Sequence, residues 1–439
     1  MGSKVKQSKL IIILLVVLII GGWGAALLAT DSGETKEYNG HIDMAEEYME
    51  RGLYQKAIEE YDAAIAIKST EDVWTAKLDA YQKRYEESTK IYDDYLSAAQ
   101  SAVSYYNKNA DYLLTLANLY MIREEYSSAY KALNNAIEAD LKNEKVDALL
   151  LDVKYAFEIK WKAYTGYSAC SNGFYAVSET GVWTYIEQDG SDTDYDQLFF
   201  AGPVGESGIR VVQDKVRAYL IDEKEVVQGI LKFNPTAAGV YSENLIAIKN
   251  DTSYSYYNSL GDKQFGEYDA AGAFIDGVAA VQKNGKWFLI DTKGKEVSSE
   301  KYEDIVLQAN GTHLKDGFMI AKKDGEYKIY RDGKAIGGYS DADIITDDNL
   351  IAVCKDGKWG FVNNEGKEII APKYKDAKSF SNGLAAVSDG KKWGFIDVAG
   401  NLVIDYLFYG GDYFNDEGCC MVETGQGTTW QLISLYINN

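Results

Sequence analysis

The stretch KWGFVNNEGKEIIA at residues 358–371 returns as KWGFIDVAGNLVID at 392–405, 34 positions further on. Apolar and polar residues alternate through both copies, and a period of two puts successive side chains on opposite faces of a strand. Trp, the residue two on and the Asp or Asn four on share one face. Gly366 and Gly400, seven residues after their Trp, suit the left-handed position that ends a tight hairpin loop. The Trp reads as a packing residue whose burial contributes about 1.5–3 kcal/mol or more. The Gly after it leaves room for a neighbouring sheet to press close.

Further copies appear along the chain. The anchor is clear at Trp287, Trp359 and Trp393 and looser at Trp183 and Trp430. Arg217, Tyr254 and Tyr327 keep only the frame. The eight anchors are 34, 37, 33, 40, 32, 34 and 37 residues apart. Each follows a turn and a short apolar strand, as in NGFYAV at 172, DGVAAV at 276, NGLAAV at 382 and EGCCMV at 417. Glycines 190, 261, 294 and 333 take the same place as Gly366 and Gly400. The unit therefore reads strand, hairpin, strand, hairpin, strand, often closing on a Tyr and a Phe such as Tyr374 and Phe380.

The two ends of this region differ from the middle. The last copy stops after its anchor strand. Residues 158–173, EIKWKAYTGYSACSNG, align without a gap on 368–383, EIIAPKYKDAKSFSNG. The region thus opens with the tail of a unit and closes with its head. A closed ring uses such a shared unit to pair strand edges that would otherwise stay open, whereas a solenoid ends in caps. The expectation is an eight-bladed propeller over 153–439, with an open β-solenoid as the alternative. This region resembles the WG (or KWG) repeat family, most closely in the motif KWGF[IV][DN]xxGK. That resemblance implies a β-repeat array in an envelope or secreted protein, with no assigned reaction.

Residues 38–152 carry a different pattern, with apolar and small residues three and four apart and no Pro. Ala45, Tyr48, Tyr54, Ala57, Tyr61 and Ala64 are matched by Ala117, Tyr120, Tyr126, Ala129, Leu133 and Ala136. One weaker unit fits between them, giving a period near 36. Small residues let antiparallel helices approach, and aromatics fill the space beside them. The pattern resembles tetratricopeptide repeats, about three units, and implies a protein-interaction groove. The usual closing proline is replaced by Ser69 and Leu141. Ile42 and Glu46 stand where a basic clamp for acidic peptides is expected.

Leu10 to Ala29 is a run of twenty residues without charge, preceded by Lys4, Lys6 and Lys9. About 20 apolar residues cross a bilayer, and the basic flank stays in the cytoplasm. Residues 1–9 read as a cytoplasmic tail, 10–29 as an uncleaved transmembrane helix, with a cleaved signal peptide as the alternative, and 30–37 as a linker, with the bulk of the chain extracytoplasmic.

Net charge is −22 and the pI near 4.6, which argues against nucleic-acid binding. Cys170, Cys354, Cys419 and Cys420 form no CxxC and read as strand residues; adjacent Cys419 and Cys420 point to opposite faces. His41 and His313 lack metal-ligand spacing. Asp192, Asp194 and Asp196 line one face of an extended run, but without the Gly and distal Glu of a calcium loop. No hydrolase, phosphate-loop or dinucleotide motif is present. No catalytic, cofactor or metal residues are therefore assigned; Trp183, Trp287, Trp359, Trp393 and Trp430 are structural repeat anchors. The expected function is a non-catalytic, membrane-anchored binding or scaffolding protein of the bacterial envelope that takes protein partners. A carbohydrate- or cell-wall-binding module is the alternative, suggested by the 35 tyrosines, and a cryptic hydrolase is the third.

Overall fold

The computed structural model describes residues 33–141, 143–193, 197–427 and 429–437. The membrane helix expected at 10–29 lies outside the described residues, as do Asp194 and Asp196. No helix among the described residues is long and apolar enough to cross a membrane. The chain divides between Asn107 and Lys108 into two compact units.

The first unit holds α1 (Gly33–Glu50), α2 (Tyr54–Ile67), α3 (Glu71–Glu87) and α4 (Tyr92–Tyr105). The small residues of the repeat pattern form its core: Ala45, Ala57 and Ala64 are fully buried, with Tyr61 beside them. The weaker middle copy forms α3 and α4, where Ala80, Ala99 and Ala102 play the same part. Residues 33–37, expected in the linker, are the first turns of α1. Glu34 lies in the first turn, where a carboxylate complements the positive end of the helix dipole.

The second unit begins with α5 (Ala110–Ile122), α6 (Tyr126–Glu138) and α7 (Glu144–Lys154). Asn109 caps α5 through Tyr112 N, and Asn143 caps α7 through Lys145 N and Val146 N. Helix runs to Lys154 and strand begins at Phe157. The boundary between compact units lies earlier, between Asn107 and Lys108. Tyr126 of α6 stacks on Tyr436 at 4.2 Å, and Tyr155 and Phe157 pack on the core of the β region. The third helical hairpin is therefore part of the propeller unit.

Eight antiparallel sheets follow, seven of them laid down in chain order from the axis outward. Blade seven is typical: a two-residue inner strand Asp376–Ala377, then Leu384–Ser388, Trp393–Asp397 and Leu402–Phe408. The sequence reading missed the inner strand, because two residues carry no period. Blades one to six begin at Gly166, Phe200, Ala237, Ala270, Asp304 and Asp341. Blade eight is split. Gly410–Gly411, Cys419–Gly425 and Thr429–Leu435 come from the end of the chain, and Phe157–Ile159 supplies the outer strand. Phe157, Glu158 and Ile159 pair with Leu435, Ser434 and Ile433. Tyr164 and Trp430 exchange both backbone hydrogen bonds, at 2.8 and 2.9 Å.

Apolar clusters link the blades in succession. They centre on Tyr185 and Val212 between blades one and two, Leu220 and Ile246 between two and three, and Tyr256 and Val281 between three and four. The next four pair Trp287 with Met319, Ile320 with Val353, Phe361 with Val387 and Phe395 with Val422. The eighth, around Tyr175, Ile186, Met421 and Leu432, joins blade eight to blade one. The array is a closed ring, and the open solenoid is excluded. Cys419 packs toward blade one and Cys420 toward blade seven, on opposite faces of their strand.

The glycine after the anchor Trp serves its own sheet. A Cβ on Gly360 would lie 2.6 Å from Ile370 O, and one on Gly394 2.6 Å from Ile404 O. Both carbonyls belong to the adjacent outer strand of the same blade, where a bulge shifts the register. The expectation of a neighbouring sheet at this point is corrected accordingly.

Candidate functional site

The five anchors occupy equivalent places on the third strand of their blades. Trp183, Trp287, Trp359, Trp393 and Trp430 face Leu198, Tyr302, Tyr374, Phe408 and Tyr164 of the outer strands. Trp287 is buried and the other four are half-buried, each packed against one of the inter-blade clusters. The Asp or Asn that ends the motif has a role the sequence reading did not assign. Asp397 Oδ1 accepts the N–H groups of Ala399 and Asn401, at 3.0 and 2.9 Å. Asp291 and Asn363 close the same turn in their blades. A short acceptor at that point satisfies a tight turn, a place that suits Asp or Asn.

Polar side chains converge where the inner strands end. Tyr413 of blade eight reaches past blade seven and donates its hydroxyl to Asp343 of blade six, 2.7 Å from both carboxylate oxygens. Only residues beside the axis can span two blades in this way. Asp343 also accepts Ser379 N at 2.7 Å. Tyr167 of blade one donates to Asp412 of blade eight at 2.8 Å. Lys378 of blade seven lies over the Tyr413 ring, 5.4 Å from its centroid. Burial raises the Asp412 carboxyl, partly offset by the Tyr167 hydrogen bond and by Lys378. Burial also raises the Tyr413 and Tyr167 phenols, so both remain proton donors at neutral pH. The result is a hydrogen-bonded rim across blades six, seven, eight and one.

Serine hydroxyls of the turn before the second strand tie three blades to the next. Ser171 donates to Val204 O at 2.7 Å, Ser242 to Phe274 O at 2.8 Å and Ser381 to Phe414 O at 2.7 Å. Asn415 carries the series over the seam, donating to Gln188 O at 2.8 Å. The serine in the SNG phrase was therefore a legible signal for inter-blade contact.

Other residues considered from sequence stay apart. Asp192 pairs with Lys162. His41 bonds Glu60 at 2.6 Å, whereas His313 is buried with no partner for Nδ1. All four cysteines are free thiols. Among the described residues no group of three or more His, Cys, Asp or Glu could hold a metal ion.

Three segments, residues 264–287, 359–393 and 393–426, match the family model described as WG containing repeat. No curated protein matches the chain. Among solved structures, the second TPR domain of human RPAP3, in complex with an HSP70 peptide, is 15% identical over 28% of this chain and 100% of its own, with a TM-score of 0.24. Kluyveromyces lactis Hsv2 is 10% identical over 63% of this chain and 98% of its own, with a TM-score of 0.35. The Neurospora crassa Pan2 WD40 domain is 10% identical over 55% and 90%, with a TM-score of 0.34. The chain thus carries antiparallel helical hairpins followed by an eight-bladed propeller, three stretches of which match the WG repeat model.

Proposed function

We propose that this protein is a non-catalytic scaffold of the bacterial envelope, held to the membrane by residues 10–29 and binding protein partners on the extracytoplasmic side. The observation that carries the reading is the joining of two repeat architectures in one chain. Each spends its repeated residues on internal packing and leaves its variable loops and faces to solvent, where recognition resides. The axial carboxylates accept hydrogen bonds from phenols and a backbone amide, a structural use of these groups. A carbohydrate-binding role has one specific observation in its favour: Trp161 is 84% exposed, a flat ring open to a sugar face. The cryptic hydrolase draws only on the raised Asp412 carboxyl.

Co-purification from crosslinked native membranes, set against binding to purified wall glycans, tests the reading. A defined partner retained by the full chain and lost on exchanging its exposed loops supports scaffolding. Glycan retention after protein partners are stripped refutes it. Turnover abolished by Asp412→Asn would make the protein an enzyme.

A further inference from the structure

Blade six carries a charge pattern that the other blades lack. Its outer-strand aromatic, Tyr374, is flanked by Lys373 and Lys375. The equivalent flanks hold at most one lysine elsewhere: Lys232 in blade two and Lys301 in blade four. Lys301 is neutralised by Glu296 at 2.6 Å. Among the described residues neither Lys373 nor Lys375 has a carboxylate at ion-pair distance; Lys373 lies 5.0 Å from the centre of the Tyr374 ring. From Lys367 to Lys392 six lysines stand against three carboxylates, in a chain of net charge −22. An acidic protein repels anions at long range, so a local basic excess of this kind is a selective feature.

These two lysines border a cleft of about 460 Å³ between blades six and seven. The cleft is open to solvent, so it would cover one side of a ligand rather than enclose it. Tyr374, Ser388, Leu402 and Tyr406 form its walls. Asp389 also borders it, but its carboxylate accepts the N–H groups of Lys391 and Lys392 at 2.7 and 2.8 Å. Those two amides hold it below the usual carboxylate range and partly satisfy its charge. Ser388 Oγ accepts Gly390 N at 3.0 Å and keeps its proton to donate. Ammonium groups bind phosphate and carboxylate as point charges, and a Tyr face with an apolar neighbour suits a sugar ring.

We propose that this cleft binds an anionic sugar, with its phosphate or carboxylate between Lys373 and Lys375, its ring against Tyr406 and Leu402, and a hydroxyl at Ser388. The site is separate from the scaffolding role and stands if that role fails. Calorimetric titration of the full chain tests it, using glucose 6-phosphate, glucuronic acid, glucose, inorganic phosphate and tetraglutamate as probes. At least one anionic sugar should bind, more weakly as salt rises, and glucose should not; the tighter of the two names the charged group. K373Q/K375Q should weaken binding about tenfold or more, with an unchanged unfolding midpoint, and K301Q should leave binding as it is. No binding of either anionic sugar, equal binding by the native chain and K373Q/K375Q, or tetraglutamate or bare phosphate binding as tightly as the sugars would overturn the assignment.

Discussion

Replacing Tyr164 by Ala attacks the ring where its two ends meet. The side chain is 3% exposed and packs with Tyr175, Ile186, Met421 and Leu432. Removing a buried ring of this size costs about 3–5 kcal/mol. With a urea slope of about 3 kcal/mol/M, the midpoint falls by about 1–1.7 M. Tyr374→Ala is the matched control, since Tyr374 faces Trp359 within one continuous blade. At the seam the contacts join distant parts of the chain; Gln431 Nε2 reaches Lys160 O at 2.9 Å across 271 residues. Loss of the seam therefore frees a long closed loop, a gain the control does not release. Tryptophan fluorescence reads the transition, because six of the eight tryptophans lie in the β region. Hydrogen exchange at Lys160 and Trp430, which donate across the seam, gives a local readout. The expected result is a lower midpoint for the whole ring together with faster exchange throughout. Should Tyr164→Ala speed exchange only at residues 157–164 and leave the midpoint in place, the other seven blades would be stable as an open arc, and closure would not hold the fold.

Three further outcomes follow from local chemistry. Gly394→Ala places a Cβ 2.6 Å from Ile404 O, an overpacking expected to cost about 1–3 kcal/mol by chemical denaturation; Gly166→Ala, whose nearest neighbour is 3.8 Å away, should change stability by less than about 0.5 kcal/mol. Burial lowers the His313 imidazole from 6.5 to about 4, so the unfolded chain takes up a proton that the folded chain refuses as pH falls from 6.5 toward 4. Stability should drop by about 3 kcal/mol across that window, and a stability profile of His313→Leu should lack that slope. Asp412→Asn should stabilise the ring at pH 7, since burial disfavours the native carboxylate and an amide oxygen can still accept from Tyr167. The gain should shrink as pH falls toward the raised value of the carboxyl, measured by thermal melts at several pH values.

The repeat signatures were legible because they are the core itself. Ala45, Ala57, Ala117 and Ala129 could be picked out in the sequence for the same reason that they are fully buried: only a small side chain fits between those helices. The glycines at 190, 261, 294, 333, 366 and 400 all take positive φ, as tight loops require. The alignment of 158–173 on 368–383 marks the split blade in the sequence itself, because ring closure needs a head and a tail of the same unit. The inner strands escaped notice, being mostly two residues long with nothing to repeat. The axial rim was equally hidden. Asp343, Lys378, Asp412 and Tyr413 come from three blades and become neighbours only through the ring's curvature. Lys373 and Lys375 look like ordinary surface charge until the equivalent positions in the other blades are compared.

Only two residues separate α7 from the outer strand of blade eight. Tension applied through the helices therefore reaches that strand almost directly, without a slack segment to absorb it. The strand is held to its blade by backbone hydrogen bonds and packing, and no covalent link crosses to its partner. A pull that strips it away would unfasten the circle at one place while every other blade still kept its own continuous chain, so the seam is the mechanical fuse of the molecule.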